Sequence, residues 1–304
     1  MLLLLVISFG IFSLLYLAPG DIVQSLLGAR QSSPELIAQL RSQYHLDDPF
    51  LTQYWIWLQN ALHGDLGHST VTGLPVTQAI KDHAGVTVFL GLYAFAITTF
   101  FGVSLGVAAA VRKRSAADRG IVGFSVIAVS MPAFVTGIVL LYLLAVRVSW
   151  FPAFGPGEGF QDRLVHLTLP AVALALTQAA LVLKLTRASM IEALDQDYVA
   201  FARARGLATW RVLWTYAFRN ALIPVVTASA LILAYLLTGA VLVEVTFALP
   251  GLGSLLVDSV NQKDVTTVQG LALVVAATVM LANLLTDVLY MFLDPRIRLG
   301  TGAS

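Results

Sequence analysis

Apolar residues in this chain come in six long runs, near residues 1–18, 85–111, 120–148, 165–187, 221–243 and 265–293, separated by more polar stretches. About 20 apolar residues rising about 1.5 Å each cross a hydrocarbon core of about 30 Å, so the pattern predicts an all-α chain with six transmembrane helices. A long segment between the first two runs carries its own helix signals. Ser33, Pro34 and Glu35 read as the start of one short helix, while Asp48, Pro49 and Gly64 bracket a second, PFLTQYWIWLQNALH. Phe50, Tyr54, Trp55 and Trp57 on that second helix suit three roles: a place in the lipid interface, a brace on the bundle, or a docking surface for an outside partner.

Between the fourth and fifth runs the chain turns polar, and residues 192–224 read EALDQDYVAFARARGLATWRVLWTYAFRNALIP. Ile191, Leu194, Tyr198 and Phe201 recur at helical spacing before Gly206, and Leu207, Trp210, Trp214, Ala217 and Ala221 repeat that spacing after it. Two amphipathic helices hinged at Gly206 are therefore expected, because glycine supplies the backbone freedom of a sharp helix-to-helix turn. Arg211, Thr215 and Arg219 align at four-residue intervals on the second helix, and Pro224 loosens the start of the following span. Such a pair suits either a lipid anchor, with arginines on anionic headgroups, or a helix gripped in the groove of a soluble partner. Periodicity leaves both open.

Composition agrees with the pattern: 58% of residues are hydrophobic, 12% are charged and mean hydropathy is +0.83. An ordinary soluble domain carries about 25% charged residues, so this is a polytopic membrane protein and any large catalytic domain must come from another chain. The net charge of +1 matters less than where the 18 Lys and Arg residues fall. Arg112, Lys113, Arg114, Arg119, Lys184, Arg187, Arg203, Arg205, Arg211, Arg219, Arg296 and Arg298 form a dense set in one group of loops, while Arg30, Arg41, Lys81, Arg147, Arg163 and Lys263 are spread over longer ones. The dense set is expected in the cytoplasm together with both termini, leaving residues 19–84, 149–164 and 244–264 outside. The first run has neither a basic leader nor a small-x-small cleavage site, so it does not read as a removable signal. Its shortness suggests a native start upstream.

Several chemistries are missing. No cysteine is present, which excludes thiolate and disulfide chemistry. None of the four lysines follows a glycine, so there is no phosphate-binding loop, and no His-Glu-x-x-His pair exists. His45, His63, His68, His83 and His166 lack metal-ligand spacing, and no metal is expected. Ser125 in GFSVI lacks the second glycine of a nucleophile elbow, which leaves an intramembrane hydrolase using a serine and His166 without a supporting motif. Asp287, about two turns before the inner end of the last span, is either a gate or cavity carboxylate, with Lys184 as partner by depth, or a charge at the interface. Gly102, Gly106 and Ala110 form a small-residue ridge of the kind that lets helices approach closely.

The polar segment also resembles the EAA motif of binding-protein-dependent ABC transporter permeases. Glu192 and Ala193 match, Leu194 stands for the second alanine, Gly206 matches, and Leu222, Ile223 and Pro224 supply the ending. DYVAFARARGL followed by RNALIPVVT is similar to the dipeptide and oligopeptide branch. LAPGD at 17–21, LDDPFLTQYWIWLQNALHGDLGHS at 46–69, VEVTFALPGLGSLLVDSV at 243–260 and LDPRIR at 293–298 extend the likeness in order along the chain.

What the resemblance implies is a type I ABC importer permease fold. Residues 1–81 would be the first span with an outward helical segment, residues 82–293 the transmembrane domain with its coupling loop at 188–224, and residues 294–304 a cytoplasmic tail. Glu192, Ala193, Asp197, Tyr198, Ala202, Arg205, Gly206 and Leu207 would couple to an ATPase, and Trp55, Trp57, Pro250 and Gly251 would meet a solute-binding protein. The implied partners are a second, homologous permease subunit, two ABC ATPases holding ATP and Mg2+, an extracytoplasmic solute-binding protein and the lipid bilayer. No cofactor is expected on this chain and no nucleic acid among its partners. The implied cargo is a dipeptide or short oligopeptide carried across the bacterial inner membrane, with a nickel chelate, glutathione and haem as alternatives within the branch.

Overall fold

The computed structural model describes residues 2–17 and 47–293, together with 34, 41 and 42. The short helix expected from Ser33, the LAPGD stretch beyond Leu17, and residues 294–304 with Arg296 and Arg298 lie outside the described residues, as does any placement of the termini. Among the described residues the chain is helical, with one isolated bridge between His68 and Pro75. In order the helices are α1 (Leu2–Leu17), α2 (Phe50–Leu62), α3 (Val76–Val111), α4 (Ala116–Ser130), α5 (Ala133–Leu140, continued by π-helical Leu141–Arg147), α6 (Gly159–Leu194) and α7 (Asp197–Ala204). After them come α8 (Thr209–Arg211), which runs through π-helical Val212–Phe218 into α9 (Arg219–Thr238), then α10 (Val241–Thr246), α11 (Leu252–Asn261) and α12 (Val265–Leu293).

Among the described residues four helical stretches are long and apolar enough to cross a membrane: Val76–Val111, Gly159–Leu194, Thr209–Leu237 and Val265–Leu285. The first apolar run forms the shorter helix α1. The third run is not the straight span expected over 120–148, because α4 and α5 meet at 103°. The cause is local. Pro132 has no N–H to donate, and its ring crowds the preceding residue out of the helical region, so Met131 is extended at φ −93° and ψ 122°.

The chain divides into two compact units, residues 1–87 with 250–280, and residues 88–249 with 281–304. In the first unit α2 begins after Pro49, whose carbonyl accepts the Thr52 and Gln53 amides at 2.9 and 3.1 Å, and ends before Gly64 at φ +85°. Its rings Phe50, Tyr54 and Trp57 stack on Phe9, Phe12 and Tyr16 of α1, with centroids 4.8 to 5.7 Å apart. Tyr54 Oη lies 2.8 Å from Ser8 Oγ, and Tyr16 Oη donates to Gln53 Oε1. Gln269 of α12 donates to the Ile11 and Phe12 carbonyls at 3.3 and 3.2 Å. Most of the aromatic face therefore braces α1.

Asp264, immediately ahead of α12, caps that helix by accepting the Thr267 amide at 3.3 Å and the Thr267 hydroxyl at 2.7 Å. The same buried carboxylate accepts the Ser69 hydroxyl and both the amide and the hydroxyl of Thr70, the latter two at 3.1 Å.

In the second unit the small-residue ridge of α3 lies against α6. A Cβ on Gly102 would fall 2.6 Å from Val182 Cβ, and one on Gly106 would fall 2.6 Å from Thr186 Cβ and 2.8 Å from the Leu183 carbonyl. Helices this close exchange dispersion contacts along their backbones, the usual basis of association where lipid tails remove the hydrophobic driving force.

Candidate functional site

The polar segment rests on the ends of two long helices. Met190 and Ala193 of α6 and Val107 and Ala110 of α3 form one buried cluster with Val199, Ala202, Val212, Ala217 and Ala221. α6 ends at Leu194, and Asp195 closes it by donating its amide to the Ile191 carbonyl at 3.1 Å. Gln196 is then extended at φ −79° and ψ 151°, and α7 starts afresh. At the far end Gly206 adopts φ +74°. Its amide donates to Arg203 O at 2.9 Å and the Leu207 amide to Ala202 O at 3.3 Å, the paired bonds of a Schellman turn that needs a left-handed residue at this point.

The break at Asp195 and Gln196 corrects the single apolar face expected from Ile191 to Phe201. Restarting the helix changes which residues face inward, so Val199 and Ala202 are buried while Tyr198 is exposed and Phe201 is 71% exposed. The second arm departs for a related reason. A π-helical stretch bonds i to i+5 and takes in extra residues per turn, so a 3.6-residue period extrapolated across Val212–Phe218 loses register. Val212, Ala217 and Ala221 are the buried positions, and Trp210 and Trp214 are 65% and 51% exposed. Trp214 instead stacks edge-on against Phe218 at 4.7 Å.

The residues expected to couple thus fall into two groups. Ala193 and Ala202 are buried and Leu207 is half-buried against the same cluster, whereas Glu192, Asp197, Tyr198, Arg205 and Gly206 are exposed. Phe201 joins the exposed group. Its spacing had placed it on the inner face, and only the helix break reveals otherwise.

The loop joining α3 to α4 holds this end of the unit electrostatically. Arg187 of α6 grips Asp118 with two bonds, Nε to Oδ1 at 2.7 Å and Nη2 to Oδ2 at 2.9 Å. The Arg114 amide adds a third bond to Oδ2 at 2.8 Å, and Ser115 Oγ caps α4 by accepting the Asp118 amide at 3.1 Å. Asp118 is buried. A more exposed pair, Lys113 Nζ to Asp195 Oδ2 at 3.2 Å, ties the same loop to the start of the polar segment. The signature Ser115-x-x-Asp118 is a capping signal present in the sequence, but nothing in the sequence marks Arg187 as the partner.

Among the remaining candidates, Lys184 is exposed, and Asp287 lies within α12 with its side chain outside the described residues. Trp55 is 58% exposed on α2, while Trp57 is half-buried with its ring 5.6 Å from Phe12. Pro250 is exposed. Gly251 is buried, its amide donating to Ser254 Oγ at 3.0 Å ahead of α11. Among the described residues no three His, Asp or Glu side chains group as metal ligands. The Ser125 hydroxyl donates to its own helix at Val122 O, 2.7 Å away, and His166 Nδ1 lies 3.0 Å from Asp162 O.

Residues 102–299 match the family described as binding-protein-dependent transport system inner membrane component, and residues 1–91 match the N-terminal region of such membrane components. A putative peptide transport system permease of Brucella abortus is 40% identical over 299 residues, an alignment covering 97% of this chain and 95% of that protein. The dipeptide transport system permease of Escherichia coli K12 is 37% identical over 313 residues, covering 94% and 92% respectively. Among solved structures, an inward-facing methionine ABC transporter superposes with a TM-score of 0.61 at 15% identity, over 71% of this chain and 97% of that one. That last likeness bears on fold alone.

Proposed function

We propose that this chain, which belongs to the family of binding-protein-dependent transport system inner membrane components, is the permease subunit of an ATP-driven importer carrying dipeptides or short oligopeptides. It is a multi-pass inner-membrane protein. In this reading it crosses the membrane six times with both termini in the cytoplasm, pairs with a second homologous permease, and receives cargo from an extracytoplasmic binding protein at Trp55, Trp57 and Pro250, with buried Gly251 holding the turn beside Pro250. Two ATPase subunits supply hydrolysis, and Asp287 belongs to the gate.

The observation that carries the proposal is the construction of α7. Val199 and Ala202 fix it to the ends of α3 and α6, while Asp197, Tyr198, Phe201 and Arg205 stand free on its outer side. An apolar and charged face on a firmly seated helix fits a groove in a soluble partner. Drawing two such helices together as ATPases close would turn an inward-open pair of permeases outward. The ATPases must favour one state, since equal affinity for both would shift nothing.

The test is Gly206→Pro in the reconstituted complex. Proline cannot adopt φ +74° and has no amide to give Arg203 O, so the Schellman turn is lost while the buried face of α7 keeps its side chains. Cargo-stimulated ATP hydrolysis and uptake are expected to collapse with the subunits still assembled. Normal values for both would refute the role of the segment. The cargo class is checked by identifying what the cognate binding protein retains on purification: peptides support the proposal, and a metal chelate or haem would replace the substrate.

A further inference from the structure

We propose that Asp118 and Arg187 form a latch that positions the coupling segment, so that movement of α7 is shared between α6 and the bent pair α4 and α5. The inference rests on the reading of α7 as the coupling helix. Arg187 lies seven residues before the end of α6 at Leu194, about 10 Å along the helix, and α7 begins three residues later. Asp118 lies in the first turn of α4, whose other end is the Met131–Pro132 bend. One salt bridge therefore joins the helix entering the polar segment to the element that carries the bend.

Three features separate this contact from an incidental ion pair. It is bidentate, with a planar guanidinium matched to both carboxylate oxygens, which fixes direction as well as distance. The loop is shaped around it: Arg114 occupies φ +69°, uncommon for a residue with a side chain, and this conformation accompanies an amide aimed at Asp118 Oδ2. Asp118 is also buried, so separating the pair would strand a charge away from water. Lys113 and Asp195 offer a contrast, with side chains 43% and 69% exposed and a single contact. They tether; Asp118 and Arg187 orient.

Because both groups act through the polar segment and touch no cargo, they are positioning residues. The test uses the assembled complex, with this chain, its second permease, its ATPases and the binding protein as purified with its cargo. ATP hydrolysis is measured with and without binding protein for Asp118→Asn, Arg187→Lys and the exchanged pair Asp118→Arg with Arg187→Asp. The chain has no cysteine, so Ala116→Cys with Ala188→Cys, both at exposed positions, places two spin labels across the latch in each background.

Asp118→Asn is expected to leave basal hydrolysis in place, lower stimulation by about fivefold or more, and broaden the distance distribution. Arg187→Lys should fall between it and the parent, and the exchanged pair should recover part of the stimulation. Parent-like stimulation in both Asp118→Asn and Arg187→Lys, while Gly206→Pro abolishes it, would overturn the latch and leave the coupling segment standing. Parent-like stimulation in Gly206→Pro would instead overturn the reading beneath it. Loss of assembly in step with loss of stimulation in every variant, with no rescue by exchange, would make the pair merely structural and would also overturn the proposal.

Discussion

Asp118 and Asp264 are both buried carboxylates, and the protein satisfies them in opposite ways. Asp264 is surrounded by neutral donors, the hydroxyls of Ser69, Thr70 and Thr267 and the amides of Thr70 and Thr267. Asp118 takes a guanidinium and one amide. Hydroxyls and amides on short side chains or backbone allow almost no travel before the bonds break. They make a fixed knot, suited to holding the 69–70 loop against the start of α12. An arginine on a long stem reaches from one helix to another, and its planar fork, matched to both carboxylate oxygens, holds the two in one orientation so that they move together. Asp264 thus pins a loop to the start of a helix, whereas Asp118 joins two helices.

The largest effect should come from the knot. Asp264→Ala removes the cap of α12 and leaves several buried donors unmatched, which is expected to cost about 3 kcal/mol, read as a loss of resistance to thermal or denaturant unfolding in detergent. Asp264→Asn should recover only part, since its amide group would face donors with another donor. A neutral Asp264→Ala would end the comparison.

Next comes Gly106→Val, which touches neither carboxylate. Its side chain would meet Thr186 Cβ and the Leu183 carbonyl, pushing α6 away from α3 one residue from Arg187. An overpacking cost of about 2 kcal/mol is expected. The informative result is a broadened distance between spin labels at 116 and 188, which would show that the ridge sets the reach of the latch. The smallest effect belongs to Lys113→Ala. An exposed pair of this kind contributes under about 0.5 kcal/mol and is screened by salt, so unfolding should barely shift and the residual difference should vanish as ionic strength rises.

Much of this was legible from local chemistry. Pro49 and Gly64 bracket α2 because a ring without an N–H and a residue tolerant of positive φ act through their own backbones. The apolar runs appear as helices α1, α3, α6, α9 and α12 for an equally local reason, since a chain in lipid must satisfy its backbone within each segment. The bend at Met131–Pro132 was legible too, but the hydropathy of the run hid it.

The faces of the polar segment were not legible. The spacing of Ile191 to Phe201 predicts one continuous helix, and the structure stops it at Asp195 and begins again, which sends Phe201 outward. Leu207 lies ahead of the helix start, so its spacing to Trp210 says nothing about the inner face, and the π-helical turn carries Trp214 out of register with Ala217 and Ala221.

By itself the sequence determined the apolar helices, the caps and turns and, through the EAA segment, the family. These are properties of short windows, where propensity, period and capping act within a few residues. Only the tertiary structure decided that Asp118 meets Arg187, 69 residues away, and that Asp264 meets Ser69, 195 residues away. A carboxylate looks the same in sequence whether it will face water, hydroxyls or a guanidinium. Which it meets follows from helices brought together by glycines and apolar contacts elsewhere, after which a buried charge must take the partner that geometry has placed within reach.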